Sequence, residues 1–150
     1  MLNIGWFSTG RDEAARQLLQ AVQGSIKTGE IEGKINFVFS NREPGEAKES
    51  DLFFELVRSY DIPLSCFSHR KFKDVIASKA KQSHEGWRLK YDREVNKRIE
   101  KFAPDFCVLA GYMLIMGGEL CRKYNMINLH PAPPGGPTGS WQEVMGELIQ

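Results

Sequence analysis

Short apolar runs alternate with amphipathic stretches along the whole chain. Leu2-Asn3-Ile4-Gly5-Trp6-Phe7-Ser8 reads as a first strand. A small-residue turn follows, with Asp12 placed to cap a helix whose apolar positions are Ala15, Leu18, Leu19 and Val22. Gly24 and Gly29 mark a loop, and residues 35–40 form a second strand ended by the turn Asn41-Arg42-Glu43-Pro44-Gly45. Ser50 or Asp51 opens a second helix carrying Leu52, Phe53, Leu56, Val57 and Tyr60. Residues 62–67 suggest a short third strand near a sheet edge, because Pro63 cannot donate to a ladder. Residues 68–84 are polar and basic and show no clear period.

Trp87, Tyr91, Val95, Ile99 and Phe102 then draw one helical face, which Ala103-Pro104-Asp105 ends. Phe106-Cys107-Val108-Leu109-Ala110 is apolar throughout, as expected of a parallel strand covered on both faces. After Gly111 the pattern predicts a turn and a short helix over residues 113–123, and a strand over residues 126–129. A Pro/Gly loop and a helix over residues 141–150 complete the chain. Strands alternating with helices predict an α/β fold with a doubly wound, mostly parallel, Rossmann-like sheet.

Composition changes this picture little. At 150 residues, 41% apolar and 26% charged, the chain suits one globular domain, and no break divides it. With 20 Lys and Arg against 19 Asp and Glu, the net charge of +1 gives no reason to expect nucleic acid or membrane as a partner. Nothing resembles a signal peptide or a spanning segment. Cys66, Cys107 and Cys121 form no Cys-x-x-Cys pair, so neither zinc nor a disulfide framework is indicated. A reducing, cytoplasmic setting follows as the expectation.

Candidate chemistry gathers where strands end. Asn128 and His130 lie two apart on one strand and so share a face, just before Pro131 and a stiff loop. Ser8, Thr9, Gly10, Arg11 and Asp12 form a strand-to-helix turn of the kind that holds anions, although they fit neither the dinucleotide fingerprint nor the P-loop. A capped helix start explains that turn equally well. Met113, Leu114, Ile115 and Met116 follow the best strand and could floor a ligand pocket, or simply pack the short helix. Taken alone, Arg88 reads as a solvated helical charge, and His69 and His84 as solvated residues of a polar loop.

Leu109-Ala110-Gly111-Tyr112-Met113, followed by Ile127-Asn128-Leu129-His130-Pro131, resembles the core of the phosphoribosylglycinamide formyltransferases of purine synthesis. The Asn-x-His-Pro hallmark is shared with the wider family of transferases and deformylases that use 10-formyltetrahydrofolate. Arg88-Leu89-Lys90-Tyr91-Asp92-Arg93-Glu94-Val95 and Ala103-Pro104-Asp105 fit the same resemblance, which covers nearly the whole chain in order.

The resemblance implies a fold, a reaction and a set of roles. The fold is a Rossmann-like sheet of the formyltransferase type. The co-substrate is 10-formyltetrahydrofolate, with no metal, and the acceptor is the primary amine of glycinamide ribonucleotide. Asn128 and His130 match the catalytic pair, stabilising the oxyanion formed when the amine attacks the formyl carbon. His130 also serves as general acid towards the departing nitrogen. Arg88, Met113, Leu114, Ile115, Met116 and Asn128 match positions that contact the formyl-folate. Ser8 to Asp12 match the loop that holds the substrate phosphate. The partners implied are small molecules, with a homodimer as one option for the assembly.

The sequence departs from the family pattern at four places. The turn is Thr9-Gly10-Arg11-Asp12-Glu13 where more glycine and a Ser-Asn pair are usual. Leu114 replaces a common arginine, and Ala132-Pro133-Pro134-Gly135 follows the hallmark where Ser-Leu-Leu-Pro is common. The family's third catalytic residue, an aspartate on a later loop, has no counterpart before Gln150. The expectation is therefore one catalytic domain over residues 1–150, truncated at its C-terminus and either poor in turnover or inactive. Three readings stand beside the transferase: a formyltransferase for another amine such as a sugar nucleotide, a formyltetrahydrofolate deformylase, and a non-catalytic folate- or nucleotide-binding relic. A methionyl-tRNA formyltransferase is disfavoured by the lack of a basic tail.

Overall fold

The structure, a computed structural model, describes residues 1–79 and 84–129. His130, the Pro/Gly loop and the helix expected over residues 141–150 lie outside the described residues. Five strands form one parallel sheet: β1 (Leu2–Phe7), β2 (Gly33–Ser40), β3 (Leu64–Cys66), β4 (Phe106–Ala110) and β5 (Met126–Leu129). Their spatial order is β3-β2-β1-β4-β5. The chain winds outward from β1 in one direction and then returns to wind outward in the other. The switch point, where α/β sheets open a crevice for ligands, lies between β1 and β4.

Helices cover both faces, as buried parallel strands require. On one face, α1 (Glu13–Lys27) and α2 (Lys48–Ser59) pack Leu18, Leu19, Val22, Phe53, Phe54 and Val57 against Ile4, Trp6 and Val108. The other face carries α3 (His69–Lys79), α4 (His84–Ile99) and α5 (Gly118–Lys123). Its core is largely aromatic, with Phe7, Phe37 and Phe39 beneath Trp87 and Tyr91. The helical face drawn by Trp87, Tyr91, Val95 and Ile99 is buried as its spacing demands. Phe102 falls instead in a 3-10 turn, Glu100–Phe102, which ends at Ala103 in the left-handed region (φ 46°). No helix among the described residues is long and apolar enough to cross a membrane.

The third strand is shorter than expected, Leu64–Cys66, and four other departures from the sequence pattern have a local reason. Gly24 lies inside α1, because Ser25 and Ile26 beyond it still pack on the core. That packing outweighs the roughly 1 kcal/mol that an exposed helical glycine costs. β2 begins at Gly33, where the chain already pairs with Leu2. α2 begins at Lys48 rather than at Ser50 or Asp51, since the Ser50 hydroxyl is used in a tertiary contact and does not cap its own helix. Finally, residues 69–79 form a helix. Ser68 caps it by accepting the Lys71 N–H at 3.2 Å, and Phe72 and Ile76, four apart, pack on the aromatic layer.

Candidate active site

The turn after β1 sits at the switch point, and Thr9 is its hub. Thr9 is 1% exposed and makes bonds to three other segments. Its main-chain N–H donates to the Gly111 carbonyl at 3.1 Å. Its hydroxyl donates to Asn41 Oδ1 at 2.8 Å and accepts the Met113 N–H at 2.8 Å. The Ser50 hydroxyl lies 3.0 Å from the Thr9 carbonyl and 3.1 Å from that of Gly10. Gly10 is required here: its φ is +67°, and a Cβ would come within 2.9 Å of Phe53. Arg11 and Asp12 are exposed, and their side chains lie 3.8 Å apart. Asp12 caps α1 by accepting the Ala15 N–H at 3.2 Å. The five residues of the turn thus divide, with Ser8 and Thr9 inside and Arg11 and Asp12 on the rim.

A cleft of about 720 Å³ opens between the start of α1 and the carboxyl ends of β4 and β5. Met113, Leu114, Ile115 and Met116 line it, with Leu109 and Asn128 on the strand side. The four loop residues do not act alike. Leu114 is buried in the aromatic layer, while Met113 and Ile115 are 57% and 73% exposed. Two buried side chains pin the loop: Thr9 holds the Met113 N–H, and Asp92 of α4 accepts the Gly117 N–H at 2.9 Å. Gly117 allows that approach, because a Cβ there would lie 2.4 Å from Asp92 Oδ2. Burial raises the Asp92 carboxyl above the ordinary aspartate range, against the lowering effects of the Gly117 N–H and Arg88.

A second cleft of about 220 Å³ lies beyond β2, and Thr9 and Met113 belong to its walls. Asn41, Arg42, Glu46, His69 and Arg70 make it polar. His69 therefore does not sit in a solvated loop. It is half-buried at the start of α3, with its ring 6.4 Å from that of Trp87. Its Nδ1 lies 3.0 Å from Asn41 Nδ2 and 3.2 Å from the Asn41 carbonyl. An unprotonated Nδ1 accepts from the amide, and a protonated one donates to the carbonyl. Behind this wall Glu43 accepts the Ser68 N–H at 2.8 Å, which holds its carboxyl below the usual glutamate range, with help from Lys71.

The structure brings together the turn, the loop over residues 113–116 and Asn128, which is exposed opposite Leu109 in the β4–β5 register. Arg88 is exposed on α4, 5.8 Å from the centre of the Trp87 ring, and is in the lining of neither cleft. Burial pushes the thiols of Cys66 and Cys107 up to about 12, so neither is a nucleophile at neutral pH. Asn41, His69 and Asp92 were not singled out by the sequence. Only Asp92 carried a signal: it lies three residues before Val95 and beside Tyr91, on the border of the apolar face.

The family described as "Formyl transferase" matches residues 9–137. The phosphoribosylglycinamide formyltransferase of Escherichia coli (strain K12) is 33% identical over 116 residues, covering 76% of this chain and 46% of the relative. That of Schizosaccharomyces pombe (strain 972 / ATCC 24843) is 30% identical over 128 residues, covering 81% of this chain and 56% of the relative. The solved phosphoribosylglycinamide formyltransferase of Coxiella burnetii superposes with a TM-score of 0.65 at 26% identity, over 92% of this chain and 55% of that one. The chain spans about half the length of the curated relatives it matches. On sequence and fold together, the chain belongs to the formyl transferase family.

Proposed function

We propose that the protein transfers the formyl group of 10-formyltetrahydrofolate to the primary amine of glycinamide ribonucleotide, a step of purine synthesis. The observation that carries this reading is the apolar cleft at the switch point, floored by residues 113–116 and walled by Asn128. Its volume of about 720 Å³ is within the range of clefts that hold ligands of this size. Its lining, rich in methionine and aliphatic side chains, suits the flat pteridine of a folate. Asn128 donates its amide N–H to the formyl oxygen as that atom gains charge. A well-placed donor of this kind is worth about 3 kcal/mol. His130, two residues on in the sequence, gives a proton to the departing nitrogen. Arg88 is assigned to the folate on the family resemblance alone. The turn from Ser8 to Asp12 is likewise assigned a part in holding the phosphate of the acceptor on the family resemblance. The same reading gives the protein small-molecule partners and a cytoplasmic setting.

The test incubates the protein with 10-formyltetrahydrofolate and one of three acceptors: glycinamide ribonucleotide, an amino-sugar nucleotide, or water alone. Mass spectrometry follows the formylated product, and equilibrium dialysis follows folate binding. Saturable folate binding and formylated glycinamide ribonucleotide are expected. Formate release that ignores the amine would make the protein a deformylase, folate binding without any turnover would leave the non-catalytic reading, and absent folate binding would overturn the proposal.

A further inference from the structure

We propose that the small polar cleft is an anion subsite for the amine substrate, with Arg42, Arg70 and His69 as its phosphate-binding groups. This rests on the two-substrate reading above and deepens it. The turn after β1 carries a single cation, Arg11, which lies beside the Asp12 carboxylate and lines the larger cleft. Only Thr9 of its five residues lines the polar cleft, and both Thr9 side-chain bonds are already committed. Asp12 places a carboxylate at the start of α1, where an anion would otherwise dock. Two more guanidinium groups lie one strand further along, at the end of β2 and the start of α3.

The groups there are built for an anion. Arg42 donates to the Ser50 hydroxyl at 3.1 Å, which holds its guanidinium at the cleft without neutralising it. Among the described residues, neither Arg42 nor Arg70 has a carboxylate within ion-pair distance. Their planar forks match phosphate oxygens. His69, from the first turn of α3, and Ala47, at the cap of α2, also line the cleft. The N-terminal ends of two helices thus add partial positive charge to the two guanidinium groups. Glu46 is the one carboxylate in the lining. It suits a hydroxyl donor, as on the sugar of a phosphorylated sugar amine. The cleft of about 220 Å³ is small for a folate and ample for a phosphate with part of a sugar. Met113 belongs to both clefts, so a ligand anchored at Arg42 and Arg70 extends past it towards Asn128.

The experiment titrates inorganic phosphate into the protein at constant ionic strength and follows the arginine Nε–H resonances by NMR. The Arg42 and Arg70 signals should move together along one saturating curve, while Arg58, exposed on α2, stays still. Arg42→Gln and Arg70→Gln should each weaken phosphate binding roughly tenfold, as the loss of a charge-assisted bond predicts. Arg70 is exposed, so its variant keeps the test valid if Arg42→Gln fails to fold. Three results would overturn the proposal: no saturable shift, unchanged affinity in Arg70→Gln, or loss through Arg11→Gln alone. Competition by p-aminobenzoylglutamate at these arginines would also overturn it, because the cleft would then serve the folate. Phosphate binding without formyl transfer sinks the proposed reaction only, and transfer without phosphate binding here sinks only this subsite.

Discussion

The two clefts meet at Met113, whose N–H is held by Thr9, yet are made of opposite materials. The larger is lined by Met113 to Met116, Leu109 and Leu129, and its walls are held by buried bonds set back from the surface. The smaller exposes the polar groups themselves, with Arg42, His69 and Arg70 facing the space. An apolar cleft selects by shape, so its walls need fixed positions. A polar cleft selects by charge and hydrogen bonding, so its groups must keep bonds to spare. This division explains why Thr9 and Asp92, which touch the loop's main chain, bear on the first cleft through geometry. It also explains why Arg42 and Arg70 bear on the second through charge.

The strongest test of the contrast is a change on each side. Asn128→Ala should lower kcat by about 10²–10³ with a modest change in KM for the amine, as removal of an oxyanion donor does. Arg70→Gln should instead raise KM for the amine and leave kcat close to normal. Steady-state kinetics on both variants would expose the contrast as empty if both changed the same parameter.

Thr9→Val comes next. It removes the acceptor of the Met113 N–H and the donor to Asn41 Oδ1 in a site that is 1% exposed. Each buried group left unpaired costs about 1–3 kcal/mol, so a loss of roughly 2 kcal/mol or more is expected in urea unfolding. Because Thr9 lines the polar cleft and also holds the loop that floors the apolar one, affinity for folate and for phosphate should fall together.

Gly117→Ala should perturb the apolar cleft alone. Its Cβ would stand 2.4 Å from Asp92 Oδ2, which pushes the loop off its anchor. A stability loss of about 1–2 kcal/mol is expected. Folate binding should weaken in the same variant while the phosphate titration stays unchanged.

The smallest effects are in pH dependence, and they have opposite signs. Asp92 has a folded pKa above its ordinary value, so the native state holds the proton more tightly than the unfolded chain. Stability is therefore lost as pH rises from the ordinary aspartate value through the raised one. Asn at this position keeps an acceptor for the Gly117 N–H, so the stability of Asp92→Asn relative to the parent should grow across that window. Glu43 has a lowered pKa, so its contribution is present above the ordinary glutamate value and fades as pH falls through the lowered one. Glu43→Gln should cost stability at neutral pH and converge on the parent in acid. Melting curves from pH 3 to 7 that shifted in one direction for both variants would contradict these assignments.

The pattern of apolar positions was a good guide wherever one face of an element had to be buried. It placed all five strands, and it drew the face of α4 residue by residue. It failed at α3, whose sequence is mostly polar and which, among the described side chains, sets Phe72 and Ile76 against the core. It placed the start of α2 too late, because a serine at a helix start looks like a cap whether or not its hydroxyl turns elsewhere. In the candidate site, the hallmark around Asn128 and the loop over residues 113–116 were legible as motifs. Asn41 and His69 were not, since a polar residue after a strand and a histidine among charged residues carry no period.

What the chain's own sequence determined was therefore the order of elements, their amphipathic faces and the strand ends where chemistry could sit. These follow from local spacing and from side-chain chemistry, which neighbours along the chain express. Only the tertiary structure decided which strand ends meet. The reversal of winding between β1 and β4 sets Thr9 against Gly111 and Met113, more than a hundred residues away. The same packing aims Arg42 and Arg70, 28 residues apart, into one cleft beside the apolar one. Hydrogen bonds and charge act through space over a few ångströms, so two clefts of opposite character exist only once the sheet has brought their walls together.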